Sequence, residues 1–371
     1  MSSSKGFPLV SYQPFRLLYQ VLYISTIILR VPYITGVALV PHWRPHAGWS
    51  AKQTFMTRLL YRILHLASRI GITDTLTLKP GSEGERFQVV KPSSSDVYLG
   101  PLASTTVKPA TIGGTWYPRV PKTGGKTIFL YFHGGAFVQG DGRDASCGPL
   151  AKKLLEKGGA SAVFAVQYRL SGYGGQNPYP AALQDALSSY LYLLNVLHIP
   201  ADHIAIAGDS AGGNLAMALL LYLRNFGAKS RVPIPTPKSA VLISPWVAPF
   251  DYNRRPRPYA DSDFVPKSYA AWGAHTYAGD WPNAPADPYI TQLGNPFSIK
   301  VPIFVSIGTA EILYESVLEW TEQMRATEGN VVEVYHEEGA AHDTFLVSEL
   351  CGFEKSAWEV AKRIGAFVEE H

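Results

Sequence analysis

The chain has 371 residues, 46% of them hydrophobic, so one α/β body of about 300 residues with an accessory segment fits better than two equal domains. Cys147 and Cys351 are far apart and in no metal-type spacing, and no Asn-x-Ser/Thr acceptor occurs, which excludes a disulfide framework and gives no sign of a glycoprotein. The net charge of +4 is uneven: residues 1–73 carry eight Lys or Arg and no acid, the first being Asp74, and the remainder holds 25 basic and 29 acidic residues. A basic, apolar N-terminal fifth suits an anionic lipid surface. Nucleic acid is not expected as a partner, because these basic residues are interleaved with Leu, Ile and Tyr rather than gathered into polar patches.

Leu17–Leu29 is apolar nearly all round; Arg30 and Pro32 interrupt it, and Val31–Val40 resumes more weakly. The first run alone is short of the ~20 residues a bilayer span needs. Residues 15–40 span if Arg30 is accommodated by tilt or snorkelling. Lys5 and Arg16 before the apolar run also fit a signal peptide, although no clear small-residue cleavage site follows. A span, an interfacial anchor and a soluble cap all stay open.

Ser50 is an N-cap for an amphipathic helix reaching Ile70. Arg58, Arg62, His65 and Arg69 form one stripe, and Phe55, Met56, Leu59, Leu60, Ile63, Leu66, Ala67 and Ile70 fill the other side. The pattern fits a helix in a membrane interface, or one packed on the body with its basic stripe in solvent. Residues 79–125, rich in Pro, Gly, Ser and Thr, read as a hairpin region with loops.

From Lys126 strands and helices alternate. Strands are expected at 127–132, 162–168, 203–207, 239–244, 302–307 and 331–335, and helices at 181–197, 316–328 and 354–369. Continuous Val/Ile/Ala-rich strands predict a mostly parallel sheet covered on both faces. The Pro-, Tyr- and Trp-rich section of about 246–300 is too long for a simple connection and reads as an inserted lid.

Gly208-Asp209-Ser210-Ala211-Gly212-Gly213 lies between a strand and a helix-like run, the setting in which Gly-x-Ser-x-Gly exposes a nucleophile on a sharp turn. A serine needs a base, itself oriented by an acid, and on such a sheet they follow in the order Ser, acid, His. Glu311 comes after one later strand and His342 after the next, at the carboxyl ends where such sheets bind ligands. Glu315 and Asp343 compete as acids, His133 and His275 as bases. His133-Gly134-Gly135-Ala136-Phe137 directly follows the 127–132 strand, so Gly134, Gly135 and Ala136, with Ala211, are candidate oxyanion donors through their amides.

These residues resemble the hormone-sensitive-lipase-like esterases of the α/β-hydrolase superfamily over roughly residues 125–371. The resemblance also includes Tyr168-Arg169-Leu170, Tyr179 to Asp185, Ser244-Pro245-Trp246 and Gly339-x-x-His342-x-x-Phe345. It implies an α/β-hydrolase fold, with residues 1–75 as membrane anchor or cap and 76–371 as the catalytic domain. It further implies carboxylester hydrolysis through Ser210, His342 and Glu311, supported by His133, Asp209 and Tyr168, without metal or organic cofactor. The N-terminal segment looks like that of fungal membrane-associated members such as sterol-ester deacetylases. This suggests a lipophilic ester as substrate, a membrane surface contacted through residues 15–70, and an endoplasmic-reticulum location. Lactone chemistry or acyl transfer by the same triad, and a non-catalytic receptor, are the alternatives; the oligomeric state is open. Three departures stand out: Ala136 where a third glycine is usual, Ser-Gly-Tyr-Gly-Gly-Gln-Asn-Pro after Leu170, and Glu311 where Asp is usual.

Overall fold

The computed structural model describes residues 6–121, 127–252 and 262–371. Lys5 and positions 253–261 of the expected insertion lie outside these residues. In chain order the elements are α1 (Phe15–Leu39), α2 (Ala51–Ile70), β1 (Phe87–Val90), β2 (Ile112–Tyr117), β3 (Ile128–Phe132), α3 (Asp144–Glu156), β4 (Ala162–Gln167), α4 (Ala181–Leu191), β5 (Ile204–Asp209) and α5 (Ala211–Phe226). They continue as β6 (Ser239–Ile243), α6 (Lys267–Ala278), β7 (Ile303–Gly308), α7 (Tyr314–Arg325), β8 (Val332–Glu337), α8 (Thr344–Cys351) and α9 (Glu354–Glu370).

The eight strands form one sheet in the order β1-β2-β4-β3-β5-β6-β7-β8. β1 and β2 pair antiparallel, β2 meets β4 antiparallel, and every later pairing is parallel. Alternate residues of a strand point to opposite faces. Ile128, Leu130 and Phe132 accordingly join one core with α4, α5 and α7, whereas Phe129 and Tyr131 join the other with α3 and α9. Burial on both faces explains why these strands read as continuous apolar runs. Register then positions the site. Phe132 of β3 lies opposite Gly208 of β5, so the glycine loop after β3 and the serine turn after β5 emerge side by side.

α1 is one unbroken 25-residue helix that runs through Arg30 and Pro32, where the sequence suggested an interruption. It is long and apolar enough to cross a membrane. α2 begins at Ser50 as expected, in a capping box with Gln53. Its stripe, however, does not simply face solvent. His65 stacks on Tyr23 of α1 and receives a 2.9 Å hydrogen-bond contact from it, while Thr54, Thr57 and Ser68 are buried and Ile63 is exposed. The α1–α2 link and the start of α2 are fixed to the body. Trp49 Nε1 donates to Gly339 O at 2.5 Å, Lys52 Nζ to Glu349 O at 2.8 Å and Gln53 Nε2 to Gly352 O at 3.0 Å.

Candidate active site

Ser210 sits between β5 and α5 at φ 48°, ψ −114°, a conformation costly for any residue with a side chain. Its neighbours allow it. A Cβ on Gly212 would lie 1.9 Å from Phe132 O, and one on Gly208 2.4 Å from the Gly212 carbonyl group. The turn is held from outside as well: Ser210 N donates to Ile243 O at 2.9 Å, and Ser210 O accepts from Trp246 N at 2.9 Å.

His342 follows β8 and reaches back so that its Nε2 lies 2.9 Å from Ser210 Oγ. Its Nδ1 is 3.7 Å from Glu311 Oε2, an ion-pair separation rather than a formed hydrogen bond. Glu311, fully buried after β7, is oriented by other donors: Ser244 Oγ at 2.6 Å and Gly308 N at 3.3 Å. Burial pulls the His342 pKa down, but Glu311, with Asp263 and Asp209 behind it, more than offsets this, so the net shift is upward.

The competing acids lie elsewhere. Glu315 is exposed in the first turn of α7. Asp343 caps α8, accepting from Leu346 N at 3.2 Å, and burial pushes its carboxyl well up. Of the competing bases, His275 is on α6 with its Nε2 3.4 Å from Tyr252 OH. His133 is buried against Tyr168, rings stacked 4.3 Å apart, and burial lowers its pKa. Its Nδ1 donates to Gly134 O at 2.7 Å and its own carbonyl accepts from Tyr168 OH at 2.6 Å. These contacts place His133 and Tyr168 behind the glycine loop as supports.

Gly134, Gly135 and Ala136 line the same cavity as Ser210 and His342, and Ala211 opens α5 directly after the serine. Ala136 takes φ 52° without being glycine, and Gly273 of α6 has no room for a Cβ, which would meet Ala136 O at 2.3 Å. Thus α6 presses the loop into a shape a third glycine would adopt freely. Asp209 accepts from Tyr131 OH at 2.6 Å, and its Oδ2 occupies the space a Gly134 side chain would need. It braces the serine turn against the loop.

The cavity measures about 240 Å³ and is almost wholly apolar, with Leu60 and Leu64 of α2 facing Tyr252, Phe264 and Tyr269 of the insertion. In the insertion Trp272 is buried, Tyr277 stacks on Phe137 at 3.7 Å and Trp281 meets Tyr179 edge-on, so these aromatics serve packing. Two residues near the centre had no assigned role in the sequence reading. Ser244, the first residue of the quoted Ser-Pro-Trp stretch, bonds the acid. Asp263 carries no motif at all.

A family model described as alpha/beta hydrolase fold matches residues 129–346, more than half of the chain. The chain belongs to this α/β-hydrolase fold family. An acetyl-hydrolase of Streptomyces hygroscopicus is 39% identical over 128 residues, 34% of this chain and 38% of that protein. Human hormone-sensitive lipase is 28% identical over 127 residues, 33% of this chain and 11% of the lipase. The match therefore spans well under two thirds of either relative. A thermostable esterase from Pseudomonas putida superposes with a TM-score of 0.64 at 18% identity, over 86% of this chain and 96% of the esterase, a likeness of fold. Within the α/β hydrolases the chain is of the hormone-sensitive-lipase-like kind.

Proposed function

We propose that this α/β hydrolase is a serine carboxylesterase for a lipophilic ester, working through an acyl-enzyme. The observation that carries the reading is the 2.9 Å contact between Ser210 Oγ and His342 Nε2 on a strained turn inside an apolar cavity. Ser210 Oγ attacks the ester carbonyl carbon as its proton passes to His342 Nε2. The oxyanion is met by the amides of Gly134, Gly135, Ala136 and Ala211. His342 then gives the proton to the departing alkoxide; a water, deprotonated by the same nitrogen, attacks the acyl carbonyl, and collapse returns that proton to Ser210 Oγ as the acid leaves. Glu311 stabilises the imidazolium electrostatically.

At about 240 Å³ the cavity is below the roughly 300–1,000 Å³ of pockets that enclose drug-sized ligands. A small acyl group with part of a larger alcohol, such as a sterol, terpenoid or other natural-product acetate, fits that size better than a long fatty chain. The relatives named acetyl-hydrolase and ethyl acetate hydrolase support a short acyl group. The exposed apolar face of α1 and the absence of acids before Asp74 support contact with an anionic membrane.

The test is labelling by a fluorophosphonate followed by a panel of acetyl, short-chain and long-chain p-nitrophenyl esters, with products analysed in water and in competing alcohols. Labelling and acetyl-ester hydrolysis that both vanish in Ser210→Ala support the reading. A wild-type protein that neither labels nor hydrolyses overturns it, and a dominant alcoholysis product makes it an acyltransferase.

A further inference from the structure

Three consecutive residues of the insertion grip the loops that carry Glu311 and His342. Ser262 Oγ donates to Ala310 O at 2.7 Å. Asp263 Oδ2 accepts from Ile312 N at 2.7 Å, one residue past the acid, while Oδ1 accepts from Phe264 N at 2.7 Å and, more weakly, from His342 N at 3.4 Å. The Phe264 ring then stands 5.9 Å from the His342 ring. One carboxylate therefore bonds main-chain amides on both loops.

The need for such a device lies in the acid itself. Glu311 Oε2 accepts from Ser244 and Gly308, whereas among the described residues neither Glu311 Oε1 nor His342 Nδ1 has a hydrogen-bond partner, so the acid and the imidazole are not joined by one. An imidazole not tied through Nδ1 must be oriented through its backbone and by charge.

We propose that Asp263 is a positioning residue for His342, holding the acid loop against the base loop and placing a second negative charge beside the imidazole. This rests on His342 being the base, as proposed above. Burial pushes the Asp263 carboxyl up to about 6, with His342 and the Ile312 amide acting in the opposite direction. Among the described residues, the other titratable groups facing the pair include Glu311 after β7, Asp209 at the end of β5, Asp343 next to the base and Cys351 of α8.

The experiment compares wild type with Asp263→Asn, Asp263→Glu and Ser262→Ala. For each, the fluorophosphonate labelling rate and p-nitrophenyl acetate kcat and KM are followed against pH, together with Tm. Losing the charge lowers the imidazolium pKa, so Asp263→Asn is expected to move the acidic limb of both profiles down by about half a pH unit or more. Its kcat should fall about tenfold with KM within about twofold. Asp263→Glu, which keeps the charge, should keep the wild-type limb. Ser262→Ala, which loosens the grip without changing charge, should lower Tm and leave the limb in place. If Asp263→Asn does not accumulate, Asp263→Ser gives the same reading. An unmoved limb, whether or not kcat and Tm fall together, overturns the proposal. A wild type that labels but hydrolyses no ester would defeat the esterase reading while leaving the labelling limb to judge Asp263.

Discussion

Two helices of this molecule are apolar nearly all round, and they have opposite fates. In α5 every residue from Ala211 to Leu223 is buried, and the helix runs behind the serine turn through the middle of the larger core. In α1 only Ile34, Val37 and Ala38 are buried, while Leu17, Leu18, Leu22, Ile28 and Leu29 face outward. Composition scarcely separates the two. What separates them is attachment: α5 is tied to β5 by a turn with no room for a Cβ at Gly208 or Gly212, whereas α1 meets the body through α2 and the short connections at its ends. Apolarity drives burial, but connectivity decides whether the protein or another phase supplies the cover.

The largest effects should come from the start of α5. Ser210→Ala removes the nucleophile and is expected to lower kcat by about three to six orders of magnitude, read as p-nitrophenyl acetate turnover by folded protein. Glu311→Gln should cost about two to four orders through loss of the charge that supports the imidazolium. It should also reveal the sign of the His342 shift. The base must be neutral, so kcat/KM falls as pH drops through the His342 pKa. Because that pKa lies above its ordinary 6.5, the wild-type fall begins at a higher pH than for an unperturbed histidine. Glu311→Gln should move the limb to lower pH; a limb that stayed in place would show that Glu311 does not set it. Gly212→Ala tests the tie itself. The new methyl would sit 1.9 Å from Phe132 O, a backbone atom of a central strand, and should destabilise by about 3 kcal/mol or more in urea unfolding.

Much of this was legible before any coordinates. The strands from 127 to 308 were readable because each is buried on both faces, while β8 is only partly buried, and the candidate order Ser210, Glu311, His342 followed from strand–loop alternation. Ser50 was readable because a capping serine acts locally. α3 was not, since Gly148-Pro149 in its middle reads as a turn. α6 was missed because it is covered on nearly all sides and has no stripe, and its Gly273 serves a neighbour, Ala136, more than one hundred positions away. Asp263 had no signal at all. Its meaning depends on amides of two distant loops, and a carboxylate that bonds main chain leaves no pattern in the residue types it touches.

A last pair of leucine substitutions separates the two helices. Leu219→Ala in α5, at a fully buried position, should cost about 2–5 kcal/mol in water because a cavity forms that the core cannot close. Leu18→Ala in α1, at a position 59% exposed, should change stability by no more than about 0.5 kcal/mol. On vesicles containing phosphatidylserine the ranking should reverse. Burying one leucine in lipid is worth about 1.5–3 kcal/mol, so Leu18→Ala should weaken binding by about tenfold or more while Leu219→Ala, if folded, binds as wild type. Salt supplies the final discrimination. Attraction of Arg16, Arg30 and their neighbours to anionic lipid contributes about 1 kcal/mol per charge and is screened, whereas burial of the α1 face is not. Binding that persists in part at high salt and still responds to Leu18 assigns the contact to the helix face. Binding abolished by salt and indifferent to Leu18 would assign it to charge alone, and the exposed face of α1 would then need a different cover.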